Sequence, residues 1–515
     1  MAAVDYQKEV TGQDVTTADV EQMDSGPVQI HAVTDLDDDR FSLWSVLGMQ
    51  YTCSAAPISI SGFMVFTLGL GGNPFFFWCF LFAALVQGLP TLSLAELSSA
   101  FPHVAGQTYW TSILAPPKYR RFLTYLDGAM TLWTWILALA GGWVLTGQFI
   151  LGTITVINSS FTPQTYQIFL FALMNCVISV LLNSYLIKIY PAINKFFVVF
   201  INAAVVFIII VLLAKAQPKA SARTVFVNIV NESGWPDGWT FFLNLLPGLA
   251  AISLPDTATH MAEEVPEPHR RIPQVMVGSY VLSFLGAFVM VIVLLFCTVN
   301  PQNLLEPLGG APIFQICWDA WNNRGFVIVV GIIYVSVFGQ ATTNITTVLS
   351  RIFWSFAQSG GLPAIGFVTK VDPRLQLPLN SLLVSAAITA AFTLLAFSPA
   401  YVLNAIYGSA GLCVVVSYGL PIFLLVLDKR RALPANRYFS LGQFGWFVNV
   451  ALLCIYPLLC TVVSFPLFSP VTSKAMNWTS VVFAGVLLLT IGNWFLVRSS
   501  YQLPKATAFE RVHVH

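Results

Sequence analysis

In the stretch PGLAAISLPDTATH (residues 247–260), a carboxylate, Asp256, stands four residues before an imidazole, His260, inside a run otherwise apolar enough to cross a bilayer. On a helix that spacing puts both groups on one face. A carboxylate in such surroundings can attract a cation, hold a proton or do both in sequence, and a neighbouring histidine can relay the proton. Ionisable groups inside a membrane-spanning segment are rare and read as functional by default. Blander roles stand beside these: Asp256 as the N-cap of a helix half beginning at Thr257, and His260 as a satisfied structural histidine. Glu263 and Glu264 follow at the end of the run, placed to pair with basic loops and to gate rather than to touch a solute.

Other chemistries lack their residues. The six histidines (31, 103, 260, 269, 513, 515) form no metal-binding or metalloprotease set, and no nucleophile elbow or phosphate-binding loop is present. The eight cysteines (53, 79, 176, 297, 317, 413, 454, 460) include no CxxC pair. The sequence therefore argues against an enzyme, a metal site, a cofactor and ATP-driven pumping, and it offers nothing for nucleic acid.

The elements that must position Asp256 and His260 follow from composition. Hydrophobic residues are 57% of the 515, charged residues 9%, and the mean hydropathy is +0.75, so most of the solvent is lipid. A helical span needs about 20 apolar residues. Twelve candidates occur, at 43–70, 73–95, 125–153, 165–186, 191–214, 240–260, 274–298, 325–355, 379–397, 400–427, 444–466 and 478–497. With an N-terminus on the inside, 19 Lys and Arg fall inside and five outside, which sets both ends on the cytoplasmic side. Sequons at Asn158, Asn231 and Asn477 all fall in outside loops. Residues 1–42 read as a disordered acidic tail and 498–515 as a short polar one.

The opening stretch lies in span 6 and holds two helix breakers, Pro247-Gly248 and Pro255. Span 1 has a counterpart, SAAPISISG (54–62), with Pro57 in its middle. Paired interruptions in two halves of a membrane chain point to a solute site. A broken helix frees backbone N–H and C=O groups that lipid cannot satisfy, so the break must face protein, water or a ligand. Trp133, Trp135 and Trp143 of span 3, Tyr334, Phe338, Gln340 and Asn344 of span 8, and Tyr407 of span 10 are available to line such a cavity. Ring faces there suit an ammonium group, although aromatics in spans are more commonly packing.

Five segments in order carry a family resemblance: AELSSAFPHVAGQTYW (95–110), HMAEEVPEPHRRIP (260–273), LSRIFWSFAQSGGLP (349–363), FSLGQFGWFVN (439–449) and MNWTSVVF (476–483). They resemble the amino acid–polyamine–organocation superfamily, in its fungal branch of amino acid, choline and γ-aminobutyrate permeases. The resemblance implies an all-α integral membrane fold of twelve helices. Two inverted five-helix repeats, 43–214 and 240–427, have broken first and sixth spans, and two further spans occupy 444–497. It implies a substrate site formed by Ser54, Ala55, Ala56, Pro57, Ser59 and Ser61 of span 1 and Ala251, Ser253 and Asp256 of span 6, with Trp133, Tyr334 and Phe338 beside them. Asp256 and His260 would carry the coupling, and Glu263, Glu264 and Arg351 the gate.

One departure bears on substrate. Relatives that bind α-amino acids hold the carboxylate on a glycine-rich break in span 1, whereas this chain has Ala56-Pro57-Ile58-Ser59-Ile60-Ser61, in which Pro57 has no N–H. Ser59 and Ser61 would offer hydroxyls instead. The expected activity is proton-driven import of a small nitrogenous solute. Choline or another ammonium compound comes first, γ-aminobutyrate or another amino acid second, and polyamines last. A nutrient sensor on the same scaffold is the alternative of another class. The relatives imply a fungal plasma membrane, with a vacuolar one the alternative.

Overall fold

The computed structural model describes residues 41–67, 69–363, 365–397, 402–472 and 476–505. Among the described residues, nine uninterrupted helices are long and apolar enough to cross a membrane. They are spans 2 (Gly72–Ala100), 3 (Arg120–Ile157), 4 (Thr165–Tyr185), 5 (Tyr190–Lys215), 7 (Pro268–Cys297), 8 (Arg324–Gln358), 10 (Leu403–Leu427), 11 (Phe444–Ser464) and 12 (Thr479–Val497). Of the other three, two are interrupted and one is shorter. Span 1 is Leu43–Ser54 plus Ala56–Phe63, and span 6 is Asp237–Leu243 and Leu246–Ala251, separated by residues 252–258 from a 3₁₀ turn over Thr259–Glu264. Span 9 is Leu379–Phe392, ending in a 3₁₀ turn over Thr393–Phe397. The fold is thus the twelve-span, all-α architecture with broken spans 1 and 6.

Several helices outrun the apolar runs that announced them. Span 3 has 38 residues, about 57 Å at 1.5 Å per residue, against a hydrocarbon core of about 30 Å. It exceeds the expected run 125–153 at both ends, by five residues at its start and four at its end, and its start carries Arg120 and Arg121 at the end of the bundle where most Lys and Arg lie, here the basic end. Leu170, Met174, Val177 and Leu181 of span 4 and Leu488, Leu489, Phe495 and Leu496 of span 12 are exposed, an apolar rim suited to acyl chains. Spans 3 and 8 occupy the centre, with Trp135, Trp143, Tyr334 and Arg351 fully buried.

Polar side chains knit this interior, where no water substitutes for a lost partner. Asn175 Nδ2 of span 4 donates to Thr342 Oγ1 of span 8 at 3.0 Å, and Asn183 Nδ2 to the Thr343 carbonyl at 3.1 Å. Thr347 Oγ1 donates to Tyr190 OH of span 5 at 2.9 Å.

Both ends of the described chain make contacts with the bundle. The acidic tail lies outside the described residues except for Phe41 and Ser42. Phe41 is fully buried, and its N–H donates to the Glu264 carbonyl at 3.1 Å. At the other end, the short tail that begins at 498 is anchored by one side chain. Tyr501 is 1% exposed and lies edge-on to Tyr125, Arg121 Nε donates to its carbonyl at 2.9 Å, and Gln502 N donates to the Ser359 carbonyl at 2.7 Å. One large buried aromatic outweighs the polar character of its neighbours.

Candidate functional site

In span 6, Pro247 sits in the first turn of Leu246–Ala251, where its missing N–H has no helical partner to lose. The helix stops at Ile252. Leu254, just before Pro255, has φ 58°, a left-handed conformation costing about 1–3 kcal/mol in a branched residue. The chain resumes as a 3₁₀ turn over Thr259–Glu264. Span 1 helps to satisfy the gap, for Gln50 Oε1 accepts from Ala258 N at 3.0 Å.

Asp256 lies in this gap, fully buried. Its Oδ1 accepts from Tyr418 OH of span 10 at 2.6 Å, and its Oδ2 accepts from Gln107 Nε2 at 2.7 Å. Gln107 begins a short helix, Gln107–Leu114, that links spans 2 and 3. His260 Nε2 lies 3.1 Å from the same Oδ2. The described bonds to the carboxylate all come from side chains; Thr259 N reaches only the Asp256 backbone carbonyl, at 2.9 Å. Asp256 therefore does not act as the N-cap considered for Thr257.

The proton count of this pair follows from hydrogen-bond logic. His260 Nδ1 is 2.8 Å from the Val104 carbonyl, and a carbonyl only accepts, so Nδ1 carries a hydrogen. Nε2 facing a carboxylate oxygen then needs one further proton, held on either partner. Trp135 lies edge-on to the His260 ring at 5.8 Å between centroids.

Span 1 breaks at one residue, Ala55, with φ 41°. The expected centre, Pro57, instead sits within the first turn of Ala56–Phe63, the helical position that tolerates proline best. Pro57 has no N–H, and those of Ile58 and Ser59 both bond to the Ala55 carbonyl at 2.9 Å. Ser59 Oγ donates to the Ser54 carbonyl at 2.8 Å and Ser61 Oγ to the Ile58 carbonyl at 2.8 Å. Ser61 also bonds to Tyr334 OH, and Ser54 Oγ lies 3.3 Å from Ser283 Oγ of span 7. The hydroxyls expected to serve a solute are engaged in closing the break. Ser54 and Ser253 meet at a cavity of about 10 Å³, shared with Gln50, Thr91, Ser279 and Ser283, room for a single water. Ala55, Ala56 and Ala251 are buried around the two breaks.

Tyr334 and Phe338 of span 8 join Phe149 of span 3, with centroids 5.1 Å from Phe149 in each case. Phe63 of span 1 adds an edge contact to Phe338 at 6.2 Å and to Tyr407 of span 10 at 5.4 Å. The rings of Phe149, Tyr334, Phe338 and Tyr407 gather with Phe63 at the last turn of the second half of span 1. Trp133 is not among them: its Nε1 donates to Thr490 Oγ1 of span 12 at 3.1 Å, and it packs on Phe392 of span 9. Two residues along a helix turn a side chain by about 200°, so Trp135 faces the buried pair and Trp133 faces away.

At the basic end, Arg351 Nε of span 8 donates to Glu264 Oε1 at 2.9 Å, with both side chains at most 2% exposed. Glu263 is half-buried beside it. A second clamp was not foreseen: Glu96 of span 2 accepts from Arg430 at 2.6 Å and Arg437 at 2.8 Å, both in the connection between spans 10 and 11. Asp127 of span 3 was also overlooked, although a charge within an apolar run announces itself; it is fully buried and accepts from Thr111 Oγ1 at 3.0 Å.

Of the sequons, Asn158 is exposed, whereas Asn231 Nδ2 donates to the Trp235 carbonyl and Asp237, and Asn477 Nδ2 to the carbonyls of Val463 and Phe465.

The family described as amino acid permease matches residues 41–487. The chain is similar to the choline transporter of Saccharomyces cerevisiae, at 31% identity over 88% of this chain and 80% of that protein. It is also similar to a swainsonine transporter of Arthroderma benhamiae, at 29% identity over 95% of this chain and 97% of that one. An uncharacterized amino-acid permease of Schizosaccharomyces pombe is 24% identical over 91% of this chain and 83% of its own length.

Proposed function

The chain belongs to the amino acid permease family, and from that premise we propose a proton-coupled importer of choline or a similar ammonium compound. The observation that carries the choice is the contrast around the break in span 1. A substrate carboxylate would need free backbone N–H groups there, and Pro57, Ile58 and Ser59 offer none. A quaternary ammonium needs ring faces instead, and Phe63, Phe149, Tyr334, Phe338 and Tyr407 cluster at the far end of the half-helix that follows that break. Each ring contributes about 0.5–2 kcal/mol to a desolvated cation. The similarity to a choline transporter supports the same substrate.

Coupling follows from the single proton of the Asp256–His260 pair. With that proton present, Nε2 and Oδ2 hold together at 3.1 Å. When it leaves, two acceptors face each other and the contact turns repulsive. Span 6 then loses a tie near the basic end, which we take as the cytoplasmic face of a plasma membrane. Proton release there favours parting of the Glu264–Arg351 and Glu96–Arg430/Arg437 clamps. Spans 1, 2, 6 and 7, two from each of the repeats 43–214 and 240–427, rock against the rest. The acidic N-terminal tail stays in the cytoplasm.

The family name and the permease among the relatives favour an amino acid as the second reading. Purified protein in liposomes, given labelled choline under an imposed inward proton gradient, should accumulate it. If neutral amino acids accumulate and choline neither enters nor competes, the ammonium reading fails and the second stands.

A further inference from the structure

Residues 103–107 join three parts of the protein. Toward the interior, the Val104 carbonyl accepts from His260 Nδ1, and Gln107 donates to Asp256. Gly106 turns the chain between them at φ 50°, and a Cβ there would stand 3.0 Å from His260 Cε1. Toward the outside, His103 meets the C-terminal segment. Ala105 N donates to His103 Nδ1 at 2.9 Å, so that nitrogen is the acceptor and the hydrogen sits on Nε2. Nε2 donates in turn to the Lys505 carbonyl at 2.9 Å. The ring stacks on Tyr109 at 4.2 Å.

We propose that the docked C-terminal segment, acting through His103, positions the Asp256–His260 pair and so sets the pH at which the pair exchanges its proton. His103 is a positioning residue: it touches neither the pair nor a solute. A shift of the 103–107 turn moves the Val104 acceptor and the Gln107 donor together, altering both ends of the one-proton contact. Other groups face the pair from each packed element. Tyr418 comes from span 10 with Tyr456 of span 11 behind it, Cys53 from span 1, and the Glu264–Arg351 pair lies below. The inference rests on the coupling reading above.

Four variants separate the roles of the imidazole. His103→Asn keeps an acceptor for Ala105 N–H but is too short to reach Lys505. His103→Gln keeps a donor that reaches it. Truncation after Pro504 removes the Lys505 carbonyl while leaving Tyr501 in its aromatic cage. Truncation after Ala506 leaves that carbonyl as a peptide. Two readouts apply: the pH midpoint of labelled choline uptake in liposomes, and a pH titration of tryptophan fluorescence in detergent. The Trp135→Phe difference in the second isolates the ring beside His260 and needs no substrate. His103→Asn and the Pro504 truncation should move both midpoints in the same direction by about half a pH unit or more, and the double variant no further. His103→Gln and the Ala506 truncation should match the parent. Unmoved midpoints, or additive ones, overturn the inference. If Asp256→Asn abolishes the pH dependence while the tail variants leave it intact, only the tail's role is lost. An unchanged profile in Asp256→Asn removes the coupling reading itself and this inference with it.

Discussion

Gln107 and Thr111 stand one turn apart on the helix linking spans 2 and 3, and each donates to a different buried carboxylate. Gln107 reaches Asp256 of span 6 at 2.7 Å, and Thr111 reaches Asp127 of span 3 at 3.0 Å. An eight-residue helix thus ties a broken, movable span to a long central one. Disturbing it disturbs both acids.

Replacing Asp256 with Asn keeps the shape and removes the shared proton. The variant should lose concentrative uptake, with steady-state accumulation at least about tenfold lower. Exchange of internal for external substrate should persist. Liposomes measure both modes, and accumulation with parental pH dependence would remove Asp256 from coupling.

Breaking the Glu264–Arg351 pair from one side leaves a buried charge without its partner. Arg351→Met should destabilise by about 3–5 kcal/mol, whereas Glu264→Met with Arg351→Met should recover most of the loss. Thermal unfolding in detergent reads both. A single variant as stable as the parent would show that the clamp contributes little.

Among the rings, Phe338→Leu keeps volume and removes a π face. The KM for choline should rise about 2- to 30-fold, the equivalent of 0.5–2 kcal/mol. Trp133→Phe should leave it unchanged, since that side chain packs against spans 9 and 12. Equal effects from both would deny the cluster its role.

The docking of the tail should weaken in acid. Burial pushes the His103 imidazole down from its ordinary 6.5 to about 4, so the docked ring is neutral. Above pH 6.5 both states are neutral and stability is whole. As pH falls from 6.5 toward 4 the unfolded state binds a proton that the folded state refuses, and stability declines up to tenfold in the folding constant per pH unit. His103→Gln does not titrate. The parent's Tm should therefore fall relative to this variant across that window, and parallel Tm curves would contradict the assignment.

The spans were legible because lipid demands long apolar runs, and the breaks because proline disfavours a continuing helix, although Pro90, Pro273, Pro421 and Pro457 sit within unbroken ones. The place of the first break was not. Pro57 marks a helix start as readily as an interruption, and the chain turns at Ala55 instead. The Asp256–His260 pair could be read from its spacing of four. Its other partners, Gln107 and Tyr418, lie 149 and 162 residues away from Asp256, and no local pattern says which helix faces will meet. The bonds of the span 1 serines were equally beyond residue type: Ser59 reaches the Ser54 carbonyl across the break, and Ser61 the Ile58 carbonyl within the half-helix that follows.

The bonds between spans 4 and 8 give the surrounding lipid a mechanical part. Asn175, Ser179 and Asn183 meet Thr342, Thr343 and Thr347, and separating them would strand amides in hydrocarbon. The two helices therefore tilt as one plank. Leu170, Met174, Val177 and Leu181 on the outer side of span 4 are exposed, so acyl chains must deform around that plank whenever it moves. Bilayer thickness becomes a load on the transport cycle: turnover should fall in vesicles of longer-chain lipids while the KM for choline holds. A rate indifferent to chain length would mean that span 4 stays still.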